Sequence, residues 1–328
     1  MSTAKTKEQI TNGTSVKKRS PREKIVDAVI RGIKKNNSMP WDNGRLNTGL
    51  CPINYSTGNE YRNSNRVLLY FYGNILPACS QEWVTFLQAQ KKGFHVKRGE
   101  KGFPIVFYAD WDTERHCYAD ENSDKENIKT VITYSTVFEI SQCEYSPNCI
   151  KKNIPYSKCE PTPVKPRREL RSIDHPPMTE VDKLIKLFAE KTKLTLRLDK
   201  VAGSGYYSPS EHLISVANLK YYKTAAEYYS TLFHELIHST GAALHRNQNT
   251  RFGSHEYSEE EIVAETGAML LCMEFGIEKT SRNNSVEYLR SWSKHLQDNA
   301  SWLIDGSRKA EKAVKYFFET VGYTPRFS

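Results

Sequence analysis

The segment Thr224 to Gly241, TAAEYYSTLFHELIHSTG, constrains this chain more than any other. It reads as a helix, with Thr224 placed to cap its start and Gly241 its end. Inside stand His234, Glu235 and His238, an H-E-x-x-H motif. Residues four apart lie one turn apart on the same helix face. Both imidazoles can therefore reach one metal ion, usually zinc, with Glu235 placed to take a proton from an attacking water. The bland alternative is a buried helix with two hydrogen-bonded histidines. Against it, Leu232, Phe233, Leu236 and Ile237 would anchor the helix in a core, and the helical signal runs through the whole motif.

A catalytic zinc takes three protein ligands and keeps one position open. Three residues can complete the set. His245 lies in HELIHSTGAALH, one residue beyond the metzincin spacing, which would put Leu244 at the ligand. Glu261 lies on a second helix, expected to start at Ser258 and end before Gly276 (SEEEIVAETGAMLLCMEFG). Packed against the first helix, it would present Glu261 to the metal. Glu265, one turn on, would accept the free N–H of a ligating histidine and fix its tautomer. The competing account makes Ser258 and Glu261 a capping box and leaves Glu265 solvated. His255 is the third candidate, and with Tyr257 a possible oxyanion donor. Glu261 is the preferred ligand.

The chain has 328 residues, enough for two ordinary domains of an α+β protein. Residues 1–165 carry 25 Lys and Arg against 17 Asp and Glu, the remainder 22 against 21, so nearly all of the net charge of +9 sits in one half. That asymmetry points to a polyanion partner for the first half. Seven scattered cysteines with no C-x-x-C fit reduced thiols. Cys143, Cys149 and Cys159 are a weak candidate for a second metal site. Residues 1–20 are polar, and the longest apolar run, Val67 to Tyr72, is too short to span a membrane. The expectation is a cytoplasmic protein.

Residues 1–19 read as a disordered basic tail and 20–150 as a mixed α/β domain. Residues 151–177 read as a Pro-rich linker and 178–328 as the domain holding the motif. Ser20-Pro21-Arg22-Glu23 starts a helix with a capping box. Periodicity does not decide whether Val67 to Tyr72 is helix or strand. Ser80 is expected to cap a helix containing Trp83, Phe86 and Leu87. Phe103 to Tyr108 and Thr130 to Phe138 read as strands joined by a hairpin extension, Asp110 to Lys129. Basic residues Arg62, Arg66, Lys97, Arg98 and Lys101, interleaved with Trp41, Tyr55, Tyr61, Trp83 and Phe94, suit single-stranded DNA: cations track phosphates while rings stack on bases. Equally, these rings fit a core. In the second half, Thr179 caps a helix. Short strands follow at Leu194 to Leu198, Tyr206-Tyr207 and His212 to Val216, then the motif helix, the order of a zinc-peptidase half-domain.

These blocks together carry a resemblance. Pro40-Trp41, NYSTGNEYRNSNRVLL, EWVTFLQAQ, VKRGEKGFPIVFY and TVFEISQ resemble, in order, the N-terminal domain of ArdC-type antirestriction proteins of conjugative plasmids. That family includes TraC-type primase-like relatives. YYSTLFHELIHSTG, Leu244 to Arg246, FGSHEYSEEEIVAETGAMLLC and YLRSW resemble its metallopeptidase-like domain. The resemblance implies a single-stranded-DNA-binding domain followed by a zincin-like, gluzincin-type domain. It implies zinc on His234, His238 and Glu261, and Glu235 as general base. It also implies protection of transferred DNA from restriction, with a protein substrate still to be named. Glu139 departs from the family, which usually has Asn after Val-Phe. Two rival readings remain: a strand-coating protein whose zinc site is silent or structural, and a primase-like transfer factor. No nucleotidyl-transfer carboxylate cluster supports the latter.

Overall fold

The computed structural model describes residues 20–37, 39, 52–73, 76, 79–120, 123–145, 179–201, 205–246, 255–277, 286–299 and 301–325. The proposed tail, the linker and Trp41 lie outside them, as do Cys51, Cys149 and Cys159. The fold is α+β.

In the first half, α1 (Pro21–Asn36) starts with the expected capping box: Ser20 Oγ accepts from the Glu23 N–H, and Glu23 accepts from the Ser20 N–H. A five-stranded sheet has the order β1-β2-β6-β4-β5, formed by β1 (Ile53–Asn54), β2 (Glu82–Thr85), β4 (Phe103–Asp112), β5 (Cys117–Tyr118) and β6 (Ile128–Glu139). The long antiparallel β4–β6 pair is the expected hairpin, with β5 in its extension. A separate ribbon pairs β3 (Phe94–Val96) with β7 (Cys143–Tyr145).

The undecided apolar run is helical: α2 spans Ser64–Gly73, and every residue from Val67 to Gly73 is buried. A helix buried all round carries no amphipathic stripe, which is why its period gave no answer.

The helix expected from Ser80 is not there. Glu82–Thr85 is a strand, Trp83 and Val84 are wholly buried, and the cap is Thr85, whose Oγ1 accepts from the Gln88 N–H. The helix that follows, α3 (Phe86–Lys91), is short. Glu139 is also buried, and its family departure has a structural account. Its carboxylate accepts from the Ser80 N–H and hydroxyl and from the Ser141 N–H, tying β6 to the entry of β2.

In the second half, α4 (Thr179–Thr192) has Thr179 as its first helical residue rather than its cap. It leads to a three-stranded sheet of order β8-β10-β9, from β8 (Thr195–Lys200), β9 (Tyr206–Ser208) and β10 (Leu213–Ala217). Then come α5 (Ala225–Ser239), α6 (His255–Phe275), α7 (Val286–Asp298) and α8 (Trp302–Val321). One continuous apolar core runs from Ile25 through α2, α5 and α6 to Val321, so the two halves share an interior. The buried Ser64 hydroxyl of α2 donates to the Ile304 carbonyl of α8 across that junction.

Candidate metal centre

Thr224 caps α5 as expected, its Oγ1 accepting from the Glu227 N–H at 3.1 Å. Most of the helix is buried, with Leu232, Phe233, Leu236 and Ile237 at 1 % exposure or less, so it cannot rotate to hide His234 and His238 elsewhere. Their Nε2 atoms stand 3.1 Å apart.

α6 packs across α5 at close range. A Cβ on Gly267 would sit 2.7 Å from Ile237 Cγ1, so only glycine allows the approach. On the other side of α6, a Cβ on Gly306 of α8 would sit 2.6 Å from Ile262 Cγ2. α6 begins at His255, three residues before the expected start. Glu261 therefore lies inside the helix, and the capping-box account of Ser258 and Glu261 fails.

Three consecutive glutamates on α6 divide their work, one toward α8 and two toward the histidines. Glu259 pairs with Lys309 of α8. Glu260 Oε1 is 3.1 Å from His238 Nδ1. Glu261 places Oε2 3.5 Å from His234 Nε2 and Oε1 3.4 Å from His238 Nε2. Glu265, one turn on, has Oε1 3.5 Å from His234 Nδ1. Glu235 is buried, and ligand atoms of His234, Glu235 and His238 all fall within 4.8 Å of one another. His245 is exposed in a left-handed turn (φ 54°) and lines a different cavity, with Arg246 and Glu259. The side chains of His255 and Tyr257 lie outside the described residues.

The donor set suits a divalent metal. Bonds of about 2.0–2.1 Å to a tetrahedral centre put neighbouring ligand atoms roughly 3.3 Å apart. The two Nε2 atoms are 3.1 Å apart, and each faces a different Glu261 oxygen, His234 at 3.5 Å from Oε2 and His238 at 3.4 Å from Oε1.

The carboxylates around His238 favour its protonated form when no metal is bound. Burial works against its protonation, but the hydrogen bonds to Glu260 and Glu261 and the nearby Glu235 prevail and raise its pKa from 6.5 to about 10. Burial likewise pushes the Glu260 and Glu261 carboxyls up. For Glu261 the imidazoles outweigh it, and for Glu260 His238 and Arg246 do, so both end below the usual carboxylate value.

Sequence reasoning missed Glu260 and Arg246. Arg246 is 5 % exposed and grips Glu260 with two parallel bonds, Nε to Oε2 and Nη2 to Oε1, each 3.0 Å. Its other donors reach the Ile237 carbonyl at 2.7 Å and Thr240 Oγ1 at 2.9 Å, closing the C-terminal end of α5. One arginine thus satisfies a helix-end carbonyl and fixes the carboxylate that orients His238. The available signal was the Glu run together with a lone Arg six residues after Thr240.

The proposed DNA residues divide between two loops. Tyr61, Arg62 and Arg66 lie before and at the start of α2, facing α8. Tyr61 is half-buried against the core and its hydroxyl accepts from Asn54. Arg62 is exposed, while Arg66 donates to the Tyr61 carbonyl and stands 3.9 Å from Glu311. Lys97, Arg98 and Lys101 are exposed on the loop after β3, although the Lys97 ammonium is tied to the Ser141 carbonyl at 2.8 Å. Trp83 and Phe94 are core residues at 0 % and 1 % exposure and cannot stack on a base. Instead Phe86 and Leu87, at 49 % and 66 %, project from the start of α3. Thr85 of β2 and Phe103 of β4 both face Val137 of β6. Phe86 and the end of the basic loop therefore leave the sheet on strands about 10 Å apart. Among the described cysteines, Cys143 is buried in the small apolar cluster with Val84 and Phe94, away from any metal group. Among the described residues no helix is long and apolar enough to cross a membrane.

Two family models match in succession: the N-terminal domain of anti-restriction factor ArdC over residues 19–138, and a zincin-like metallopeptidase over 183–309. Solved structures of the antirestriction protein ArdC from plasmid R388 superpose with TM-scores of 0.61 (metal-free) and 0.64 (Mn(II)-bound). Each is 24 % identical and covers 92 % of this chain and 98 % of its own. At that identity the likeness speaks for the fold. DNA primase TraC of Escherichia coli is 27 % identical over 88 % of this chain, which spans only 26 % of that protein. The uncharacterized protein y4eC of Sinorhizobium fredii is 24 % identical over 90 % of both chains. The chain therefore belongs to the ArdC-type proteins, with an ArdC N-terminal domain followed by a zincin-like metallopeptidase domain.

Proposed function

We propose that this chain is an antirestriction protein that binds single-stranded DNA during conjugative transfer and hydrolyses a peptide bond at a zinc site. His234, His238 and Glu261 hold the metal, Glu235 is the general base, and Glu265 and Glu260 orient the two histidines. The observation that carries the reading is the convergence of the two Nε2 atoms, 3.1 Å apart, with a Glu261 carboxylate whose two oxygens each face one of them at 3.4–3.5 Å. Two imidazoles and one carboxylate are a donor set that catalytic zinc uses, and imidazole nitrogen also suits copper, iron and nickel. The relative from plasmid R388 was solved with Mn(II), so metal analysis decides which ion this chain retains.

A bound divalent cation supplies Lewis acidity to a carbonyl and acidifies water. Glu235, buried beside the histidines, accepts the proton of the attacking water and passes it to the leaving amine. β9 is an edge of its sheet and packs near α5, offering an extended peptide a strand to pair with. The first half brings this site to DNA: Arg98 and Lys101 track phosphates, and Phe86 replaces Trp83 and Phe94 as the ring that meets a base.

The deciding experiment is Glu235→Ala, assayed for metal content, peptide cleavage and protection of transferred DNA. Metal is expected to stay and cleavage to vanish. If protection survives intact, strand coating and not proteolysis is the antirestriction mechanism.

A further inference from the structure

A cavity of about 460 Å3 lies where Arg62, Asn63 and the start of α2 meet α6 and α8. Small-molecule sites span roughly 300–1,000 Å3. It is separate from the metal cluster: Leu270 and Glu274 follow Glu261 on α6 by nine and thirteen residues, roughly 14–20 Å along the helix. Leu270, Met273, Phe318 and Tyr323 line it with apolar and aromatic surface. Inside stands Glu311, 15 % exposed, with Arg66 Nε 3.9 Å from its Oε1. The Asn63 backbone N–H donates to this carboxylate, yet Oε1 accepts no hydrogen bond. Burial pushes the Glu311 carboxyl upward, opposed by Arg66 and the Asn63 N–H. Arg62 and Lys312 are exposed at the rim, without a partner among the described residues.

An occupant must meet three conditions: negative charge at the rim, a flat apolar body on the lining, and an N–H donor for Glu311. A simple anion fails the third and meets Glu274 and Glu311 as repulsion. An apolar molecule leaves Glu311 Oε1 without a hydrogen bond, which is costly. A nucleotide with an amino-bearing base meets all three.

We propose that this cavity takes one unpaired nucleotide, its phosphate between Arg62 and Lys312 and its exocyclic amino group donating to Glu311 Oε1. The site deepens the single-strand reading above and rests on it for one of two sources, a residue of a bound strand or a free monophosphate. Thymine offers only its ring N3–H, flanked by two carbonyl oxygens that would face the Glu311 carboxylate, so the cavity discriminates against it.

The test compares deoxycytidine and thymidine homopolymers of equal length on the full chain by fluorescence anisotropy at fixed salt. The cytidine strand should bind about tenfold tighter. Glu311→Leu should bring the two affinities together while both strands stay bound through the basic loop. Should that variant not fold, a strand with dimethylated cytosine N4 applies the same test to the unmodified protein. Arg62→Ala with Lys312→Ala, both exposed, should weaken both strands. Equal affinities in the native chain, or a preference that outlives both Glu311→Leu and N4 dimethylation, overturn the site while leaving strand binding intact. If neither homopolymer binds, the single-strand reading falls. The cavity is then judged by calorimetry with the monophosphates: binding of deoxycytidine over thymidine monophosphate upholds it, and no binding overturns it.

Discussion

His238 holds most of the electrostatic consequence of the cluster. With its folded pKa at about 10, it is an imidazolium at neutral pH in the metal-free chain. A raised folded pKa contributes stability that is complete below the unfolded value, 6.5, and is lost as pH rises through about 10. Metal binding runs the other way, because a ligating histidine must be neutral. Apparent affinity should therefore climb by up to about tenfold per pH unit for each proton displaced. Thermal midpoints should fall between pH 6 and 9 in chelator, whereas metal-induced gains in midpoint should grow over the same range. A flat affinity profile would remove the imidazolium from the account. Glu260 is tested at the same scale. Glu260→Gln should cost roughly 10–100-fold in metal affinity, since it loosens the orientation of His238 without removing a ligand. Arg246→Ala should cost about 1.5–3 kcal/mol of folding stability, because Glu260 keeps His238 but loses its two charge-assisted bonds and the Ile237 carbonyl loses its donor, and denaturant titration reads that loss directly.

At the scale of elements, the site depends on how closely α6 approaches α5. Gly267 sits two residues from Glu265 and six from Glu261 and has no room for a Cβ beside Ile237. Gly267→Ala gains about 1 kcal/mol in helix propensity, but overpacking costs about 1–3 kcal/mol and pushes the carboxylates off the histidines. Lower stability together with weaker metal binding is expected. Unchanged affinity would mean that the ligands do not depend on that contact. This element scale also divides what was legible from what was not. His234, Glu235 and His238 were legible because helix periodicity alone aligns them. Glu261 and Glu265 were legible because they repeat that spacing on the next helix. Trp83 was misread because Ser80 resembles a cap, whereas the strand is only Glu82–Thr85 and the true cap lies at its end. Arg246 was not legible as a clamp because its partners, Ile237, Thr240 and Glu260, meet only once the turn after α5 and the start of α6 are in place.

At the scale of the whole molecule, the shared core changes what the two family domains mean for stability. α2 belongs to the first half, yet it is buried on every side and Ser64 bonds to α8. Arg22 of α1 donates to Tyr134 of β6 at 3.0 Å, and Arg308 of α8 lies over the Tyr108 ring. Cutting the chain between its halves would expose one side of this interior, so variants of the full chain report on DNA binding better than isolated fragments do. The same continuity predicts that metal stabilises both halves. Ligand binding to the native state alone adds about 2.7 kcal/mol at a hundredfold excess over Kd. Domains that unfold independently would confine that gain to α5 and α6, whereas one cooperative core passes it to Trp83, whose ring packs edge-on against Phe103 in the first half. Tryptophan fluorescence, in a variant retaining Trp83 alone, and far-ultraviolet dichroism should therefore give coincident melts that move up together when metal is added. A Trp83 transition that ignores metal while the helical signal shifts would show that the halves melt separately despite their common interior.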